Sequence, residues 1–122
     1  NTRYPSPRAQ AISVTEIIPT EAGFFDYAAK YEGKSQEITP ARISKELDQS
    51  IQKLSIEVYQ YLNLKGIIRI DFIITSAGEP VLIEVNSIPG LSPASIVPQQ
   101  LQYRGWSLSK VLEEMVHEAL AQ

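Results

Sequence analysis

The sequence predicts an α+β fold in which helices pack on a short antiparallel sheet. Two short β-branched runs, 67–74 and 81–86, are joined by the turn-forming stretch TSAGE, as in a β-hairpin. Within 43–62, apolar residues recur at spacings of three and four, as on one side of an amphipathic helix. A second such pattern lies within 108–120. A local hairpin with separate helices is typical of this fold class.

Length and composition indicate one domain, or part of a larger one. The chain has 122 residues, 43% of them hydrophobic, which is enough for a core. Its net charge of −3 argues against nucleic-acid binding, and no apolar run reaches the roughly 20 residues of a membrane helix. The absence of cysteine excludes a disulfide framework and thiolate chemistry. The polar stretch NTRYPSPRAQ lacks the apolar region of a secretion signal, so we expect a cytoplasmic protein.

The first third of the chain gives the weakest signals. The stretch 11–18 is predicted to be a strand, because it is rich in β-branched residues and precedes a proline. The stretch 24–31 fits either a strand or a helix. The stretch 32–38 is polar without an apolar period, and we expect a loop there.

Three helices are predicted after this loop. The first is expected to have Thr39 as its N-cap and Pro40 as its first residue, and to end near Asn63. Ser95 marks the start of the second helix. Ser107 is the expected N-cap of the third, which carries the apolar stripe of the C-terminal region.

The predicted hairpin brings polar side chains together. Side chains alternate along a strand, so Arg69 and Asp71 share one face, as do Glu84 and Asn86 on the partner strand. If the two apolar faces are buried together around a four-residue turn at 76–79, Asp71 lies opposite Glu84 and Arg69 opposite Asn86. Two directly opposed carboxylates repel each other by up to about 1 kcal/mol. A compensating group is therefore expected.

That group can be a divalent cation or the neighbouring arginine. Carboxylate and amide oxygens are ligands that Mg²⁺ accepts, and Mg²⁺ typically binds one or two carboxylates together with substrate phosphates. This face thus indicates a metal site and a phosphorylated ligand. The alternative is a solvated polar face with an ordinary ion pair between Arg69 and a carboxylate.

The segment after the second strand adds features that suit an anionic ligand. Pro89 and Gly90 end the strand, and Gly90 has no side chain to keep a ligand away from its amide. Ser95 lies where a helix begins, and helix N-termini with a hydroxyl cap bind carboxylates and phosphates. Simple capping is the alternative role for Ser95. Together with the carboxylate pair, these features favour a ligand site.

The motifs RIDF and IEVNSIPGLSPASIVPQ, with FFDYAAKY upstream, resemble the C-terminal catalytic segment of the D-alanine–D-alanine ligases, in the ATP-grasp superfamily. The resemblance covers roughly residues 14–120. It implies that residues 1–122 are the C-terminal ATP-grasp subdomain of a longer ligase, whose N-terminal and central domains are absent. It also implies that the chain is inactive alone.

The resemblance implies a metal and intermediate-binding centre on the hairpin. Asp71, Glu84 and Asn86 match the ligands of two Mg²⁺ ions, which Mn²⁺ could replace, with Glu84 bridging them. Arg69 matches the arginine that stabilises the acyl-phosphate and the tetrahedral intermediate. The amide of Gly90 matches an oxyanion-hole donor.

The resemblance also implies substrate contacts elsewhere. Ser95 matches the serine that holds the carboxylate of the second D-alanine. Lys30 matches a lysine on the phosphates of ATP, and Tyr31 a tyrosine on the mobile loop that closes the site. D-Ala–D-lactate relatives lack that tyrosine, so Tyr31 favours D-alanine as acceptor. Residues 32–38 would be the lid that excludes water from the intermediate.

The implied reaction joins two D-alanines for peptidoglycan synthesis in cell-wall biogenesis. ATP phosphorylates the carboxylate of one D-alanine, and the amine of the second attacks the acyl-phosphate. The expected partners are ATP and D-alanine, without nucleic acid or membrane, and the full-length enzyme is compatible with a homodimer. The alternatives are another ATP-grasp carboxylate–amine ligase, or a non-catalytic folding or dimerisation module.

Overall fold

The computed structural model describes residues 9–19 and 35–121. Within these ranges it contains four strands and three helices. The strands form two antiparallel two-stranded sheets, β1–β2 and β3–β4. The elements, in chain order, are β1 Glu16–Pro19, β2 Ser35–Ile38, α1 Lys45–Tyr61, β3 Arg69–Ile74, β4 Pro80–Asn86, α2 Ile96–Arg104 and α3 Leu108–Leu120. The predicted α+β class is confirmed. None of the helices in the described ranges is long and apolar enough to span a membrane.

The β1–β2 sheet corrects two predictions for the N-terminal region. The strand predicted over 11–18 is confined to β1, and the loop predicted over 32–38 contains strand β2 from residue 35 onward. The β2 strand is polar, yet it pairs antiparallel with β1 in a continuous register. The hydrogen bonds between strands are made by backbone groups and do not require apolar side chains. Pairing with β1 therefore allows β2 to form a strand although its sequence lacks an apolar period. Residues 20–34 lie outside the described residues.

Helix α1 begins later than predicted. Thr39 and Pro40 are not its cap and first residue; Ser44 is the N-cap, and its hydroxyl accepts a hydrogen bond from the Leu47 N–H at 3.1 Å. The Thr39 hydroxyl instead contacts the Thr15 hydroxyl at 2.7 Å, next to β1. The Thr39 hydroxyl, which was expected to cap the helix, is thus engaged in a contact with a residue distant in the sequence. The predicted end near Asn63 is confirmed, because α1 ends at the residue before Leu62, its C-cap.

An ion pair joins the segment before α1 to β1. The Arg42 guanidinium donates to both carboxylate oxygens of Glu16, with N–O distances of 3.1 and 3.0 Å, and the Arg42 backbone N–H donates at 3.0 Å. These hydrogen bonds hold the pKa of the Glu16 carboxyl below its usual value. The pair is exposed, so its contribution is to the local path of the chain more than to stability.

The predictions for the last two helices are confirmed. Ser95 is the N-cap of α2, and Gly105 ends that helix in the left-handed conformation with φ of 73°. The Ser107 hydroxyl caps α3 by accepting a hydrogen bond from the Lys110 N–H at 3.3 Å. Both boundaries are set by residues next to the helix ends, which explains why the sequence predicts them.

The core lies between α2 and α3. Val97 and Leu101 of α2 are each 2% exposed and cluster with Val111 of α3. Partly buried apolar side chains pack around this cluster: Ile12, Ile67, Trp106, Leu108 and Met115. The same helix that starts at Ser95 is therefore the best-buried helix in the described structure.

The β3–β4 hairpin leaves many apolar side chains exposed. Ile88, just beyond β4, is 86% exposed. Six more are between 37% and 49% exposed: Ile73, Ile74, Val81, Leu82, Ile83 and Leu91. Exposed apolar side chains concentrated in one segment of a chain commonly mark an interface. We call these seven residues the hairpin apolar surface.

Candidate functional site

The predicted pairing of polar residues on the hairpin is confirmed. Arg69 lies opposite Asn86, and Asp71 lies opposite Glu84. Directly opposed residues of an antiparallel pair point to the same face, and residues two apart on one strand do so as well. The two carboxylates, the amide and the guanidinium therefore share one face of the hairpin.

A register shift follows this group immediately. After Asp71 the pairing moves by one residue, so that Phe72 lies opposite Leu82 and Ile83 is the extra residue of β4. A bulge of this kind bends the strand and changes the direction of neighbouring side chains. No glycine or proline marks the position, so local sequence does not predict the bulge. The carboxylate pair is thus at the last regular position of the hairpin before the bulge. On the turn side, Ile74 lies opposite Pro80 and the Thr75 N–H donates to the Glu79 carbonyl, so the predicted four-residue turn at 76–79 is wrong and the turn is one residue shorter.

Arg69 forms a two-bond ion pair with Asp71. Its Nε donates to Asp71 Oδ1 at 3.0 Å and its Nη2 donates to Oδ2 at 3.1 Å. Both side chains are 22% exposed, so the pair is partly shielded from water. The ion pair between Arg69 and a carboxylate, which the sequence left open as the alternative to a cation, is present. Each Asp71 oxygen accepts one of these bonds and keeps a second lone pair for a further ligand.

The donor set on this face fits a hard divalent cation. The Asn86 Oδ1 accepts a hydrogen bond from the Ile88 N–H at 3.1 Å, which leaves it one lone pair. The described residues contain no group of three or more His, Cys, Asp or Glu side chains arranged for a metal. The set is therefore two carboxylates and one amide, all oxygen donors. Such a set suits Mg²⁺ with water and phosphate oxygens completing the shell, rather than zinc.

Gly90 and Ser95 lie against each other beyond the end of β4. A Cβ atom at Gly90 would lie 2.8 Å from the Ser95 hydroxyl oxygen, so only glycine fits without displacing it. That hydroxyl contacts the Ser92 hydroxyl at 2.9 Å and makes no capping bond to the α2 backbone. Ser95 is the N-cap by position, but its side chain does not cap the helix.

Comparison with known proteins connects these features. The family model for the D-Ala–D-Ala ligase C-terminus matches residues 6–117. The chain belongs to this family. A curated D-alanine–D-alanine ligase from Christiangramia forsetii is 51% identical over 112 residues, covering 92% of this chain and 34% of that protein. One from Porphyromonas gingivalis W83 is 44% identical over 110 residues, covering 90% and 33%. The chain thus spans about a third of the curated relatives it matches.

Solved structures of D-alanine ligases have the same fold. A D-alanyl-alanine synthetase A from Vibrio cholerae superposes with a TM-score of 0.72 at 30% identity, covering 88% of this chain and 33% of that one. A D-Ala:D-Ser ligase from Enterococcus faecalis gives 0.66 at 36% identity, with 84% and 29% covered. A Bacillus anthracis D-alanine–D-alanine ligase complexed with ATP gives 0.62 at 28% identity, with 70% and 30% covered. The predicted resemblance is confirmed.

Within this ligase family segment, the structure brings together most of the residues that the motifs indicated. The hairpin residues form one group, and Gly90 forms a second group with Ser95. Lys30 and Tyr31 lie outside the described residues, so their predicted roles stay predictions. One contact near the site that the motifs did not indicate is that of the Gln99 side chain, whose Nε2 donates to Glu37 Oε1 at 2.7 Å. The two residues are 62 positions apart, and no local pattern marks such a contact.

Proposed function

We propose that the chain is the C-terminal ATP-grasp subdomain of a longer D-alanine–D-alanine ligase, which uses ATP and Mg²⁺ and acts in the cytoplasm in peptidoglycan precursor synthesis. The observation that carries the proposal is the pairing of Asp71 with Glu84, beside Arg69 and Asn86, in a chain of the ligase family. A hard-cation site beside a guanidinium suits chemistry on phosphates and carboxylates.

Each group of the site has a distinct role in this proposal. Asp71, Glu84 and Asn86 would hold Mg²⁺, which when bound offsets the negative charge of the ATP phosphates. The guanidinium of Arg69, held in place by Asp71, stabilises negative charge on the acyl-phosphate and on the tetrahedral oxyanion. The Gly90 N–H is a second donor for that oxyanion.

The acceptor is oriented by the helix that begins at Ser95. Its hydroxyl and the N-terminal N–H groups of α2 suit the carboxylate of the second D-alanine. A carboxylate fixed there leaves the amine of the acceptor free to attack the acyl-phosphate. Orientation of this kind lowers the activation barrier, because the entropy of bringing the two substrates together has already been lost on binding.

The N-terminal and central domains of the longer ligase would supply the first D-alanine site and the rest of the ATP site. This chain spans about a third of its curated relatives. The hairpin apolar surface is exposed in the described structure, and contact with another part of the ligase would cover it. Both observations support a subdomain rather than a complete enzyme.

The isolated 122-residue chain is expected to fold but to release no ADP in response to D-alanine. Helices α2 and α3 share a buried cluster, so circular dichroism should show helical signal with a cooperative thermal transition. Coupled-enzyme assays with Mg²⁺, ATP and D-alanine should stay at background. Turnover by this chain alone would refute the subdomain proposal.

Acceptor preference separates the proposal from its nearest alternative. The similarity to a D-Ala:D-Ser ligase from Enterococcus faecalis makes another ATP-grasp ligase the second candidate. Steady-state ADP release by the full-length enzyme should be compared with D-alanine alone and with D-serine or D-lactate added. Preferred use of D-alanine in both positions supports the proposal. A strong preference for another acceptor would replace it with the alternative.

Gly90→Ala is expected to weaken acceptor binding with little effect on folding. The added methyl group would press against the Ser95 hydroxyl, which can rotate away and lose its contact with Ser92. We expect the KM for the acceptor D-alanine to rise about fivefold or more, because the displaced Ser95 hydroxyl would lose its hydrogen bond to the acceptor carboxylate. The free energy of unfolding, measured by thermal denaturation, should change by less than about 1 kcal/mol.

Ser92→Ala is the matched control for this substitution. It removes the same hydroxyl contact without adding a methyl group beside Ser95, so the KM should change less than in Gly90→Ala. Equal effects of the two substitutions would show that the steric contact is not important.

A further inference from the structure

The Gln99 side chain joins strand β2 to the residue that precedes Ser95. Its Nε2 donates to Glu37 Oε1 at 2.7 Å and to the backbone carbonyl of Ala94 at 3.3 Å. An amide nitrogen has two hydrogens, so both bonds can form at once. The Glu37 bond is partly buried and charge-assisted, which makes it the stronger of the two.

The position of Gln99 on α2 explains how one side chain reaches both partners. It is the fourth residue of the helix, and helical side chains point back toward the N-terminus. On the same turn, Ile96 and Val97 are 8% and 2% exposed and fix the helix against the core. The first turn of α2 is therefore held by the core and, through Gln99, by strand β2.

Strand β2 is in turn held by its partner. Glu37 pairs with Ile17 of β1 in the antiparallel register. Strand pairing thereby holds the backbone of Glu37 in place. The sheet that does so is separate from the β3–β4 hairpin. A shift of β2 would be transmitted through Gln99 to the Ala94 carbonyl, adjacent to Ser95.

Gln100, the next residue of α2, makes a comparable side-chain hydrogen bond to a different partner. Gln100 Nε2 donates to the Thr15 hydroxyl at 2.9 Å, and that hydroxyl contacts Thr39. This contact also ties α2 to the segment around β1, but it involves neither Ala94 nor Glu37. Gln100 is therefore a natural control for Gln99.

We propose that Gln99 and Glu37 are positioning residues that set the place of Ser95 in the acceptor site. The inference rests on the proposed function, because it assigns Ser95 to the carboxylate of the acceptor amino acid. Loss of the Gln99 amide frees the Ala94 carbonyl and removes the link to β2, so the Ser95 hydroxyl is less often in its binding position. The metal-binding hairpin has no part in this link and should be unaffected.

The test uses Gln99→Leu and Glu37→Ala in the full-length ligase that contains this segment. Each should raise the KM for D-alanine as acceptor about five- to tenfold, the effect of one lost charge-assisted hydrogen bond. The KM for ATP should stay within about twofold. Glu37→Gln keeps an acceptor oxygen and should restore most of the loss. Gln100→Leu should leave the ratio of the two KM values unchanged.

The pair should also behave as a unit. The double variant Glu37→Ala/Gln99→Leu should have an acceptor KM close to that of the more impaired single variant, because both substitutions break the same Gln99–Glu37 hydrogen bond. Hydrogen exchange at the amides of residues 94–97 should accelerate in Gln99→Leu and not in Gln100→Leu. Parallel increases in both KM values, or equal effects of the Gln99 and Gln100 variants, would overturn the positioning role.

Failure of the inference and failure of the proposed function give different results. A wild-type enzyme without D-alanine-dependent ADP release overturns the proposed function and the acceptor role with it. An active wild-type enzyme whose Gln99→Leu variant keeps its acceptor KM overturns the positioning role alone.

Discussion

Glu84→Gln is expected to lower kcat/KM of the full-length ligase by at least about 10³-fold. Glu84 lies opposite Asp71, and together they supply both carboxylates of the proposed Mg²⁺ site. Glutamine keeps the size and one oxygen of the side chain but removes the negative charge with which Glu84 would hold the cation. The charge on the ATP phosphates is then poorly compensated while the strand pairing stays intact.

Two measurements check this prediction. ADP release should fall at saturating ATP and D-alanine, and a higher Mg²⁺ concentration should recover only part of the loss. Binding of Mn²⁺, followed by electron paramagnetic resonance with ATP present, should weaken in the same variant. Glu79→Gln is the control, because Glu79 is exposed in the turn of the same hairpin and should be near wild type in both measurements. A Glu84→Gln enzyme within about tenfold of wild type would contradict the metal assignment.

Arg69→Ala is expected to slow the reaction by about 10²- to 10³-fold with either D-alanine or D-lactate as acceptor. The guanidinium acts on the acyl-phosphate and the tetrahedral oxyanion, which both acceptors share. Its two hydrogen bonds to Asp71 fix its direction, so Arg69→Lys should also lose most activity despite keeping the charge.

Metal binding should respond to the same substitution in the opposite direction. Arg69 places a positive charge beside the proposed cation site and occupies one lone pair on each Asp71 oxygen. Its removal should leave Mn²⁺ binding unchanged or tighter while turnover falls. Lys65→Ala, an exposed residue before β3, is the control for loss of one positive charge. Weaker Mn²⁺ binding in Arg69→Ala would show that the arginine is needed to hold the carboxylates in place.

The core of the candidate site was predictable from the sequence. Strand alternation places Asp71 and Glu84 on one face, and their predicted pairing is present. The register predicted next to the turn is wrong by one residue, and only the bulge restores the predicted pairing at Asp71. The apolar face whose burial was assumed is partly exposed in the described structure, for example at Val81 and Ile83. The helix starts at Ser95 and Ser107 were also predicted, and the Ser107 hydroxyl acts on backbone only three positions away. These features depend on local geometry, which the order of residues specifies.

Other features depended on contacts between distant parts of the chain. Strand β2 forms because β1 pairs with it, and α1 starts late because the Thr39 hydroxyl contacts Thr15. The bulge after Asp71 shifts the pairing by one residue with no marker in the sequence. For strand β2 and helix α1, a partner distant in the sequence decides between local alternatives.

The sequence by itself determined the fold class, the family and the group of oxygen donors with its arginine. The tertiary structure decided how these pieces are held: Arg69 is bound to Asp71, Gly90 lies against Ser95, and Gln99 links α2 to β2. The physical reason is one of range. Side-chain alternation and capping act over a few residues, whereas the Gln99–Glu37 contact spans 62 positions and exists only once both sheets and the helix have packed.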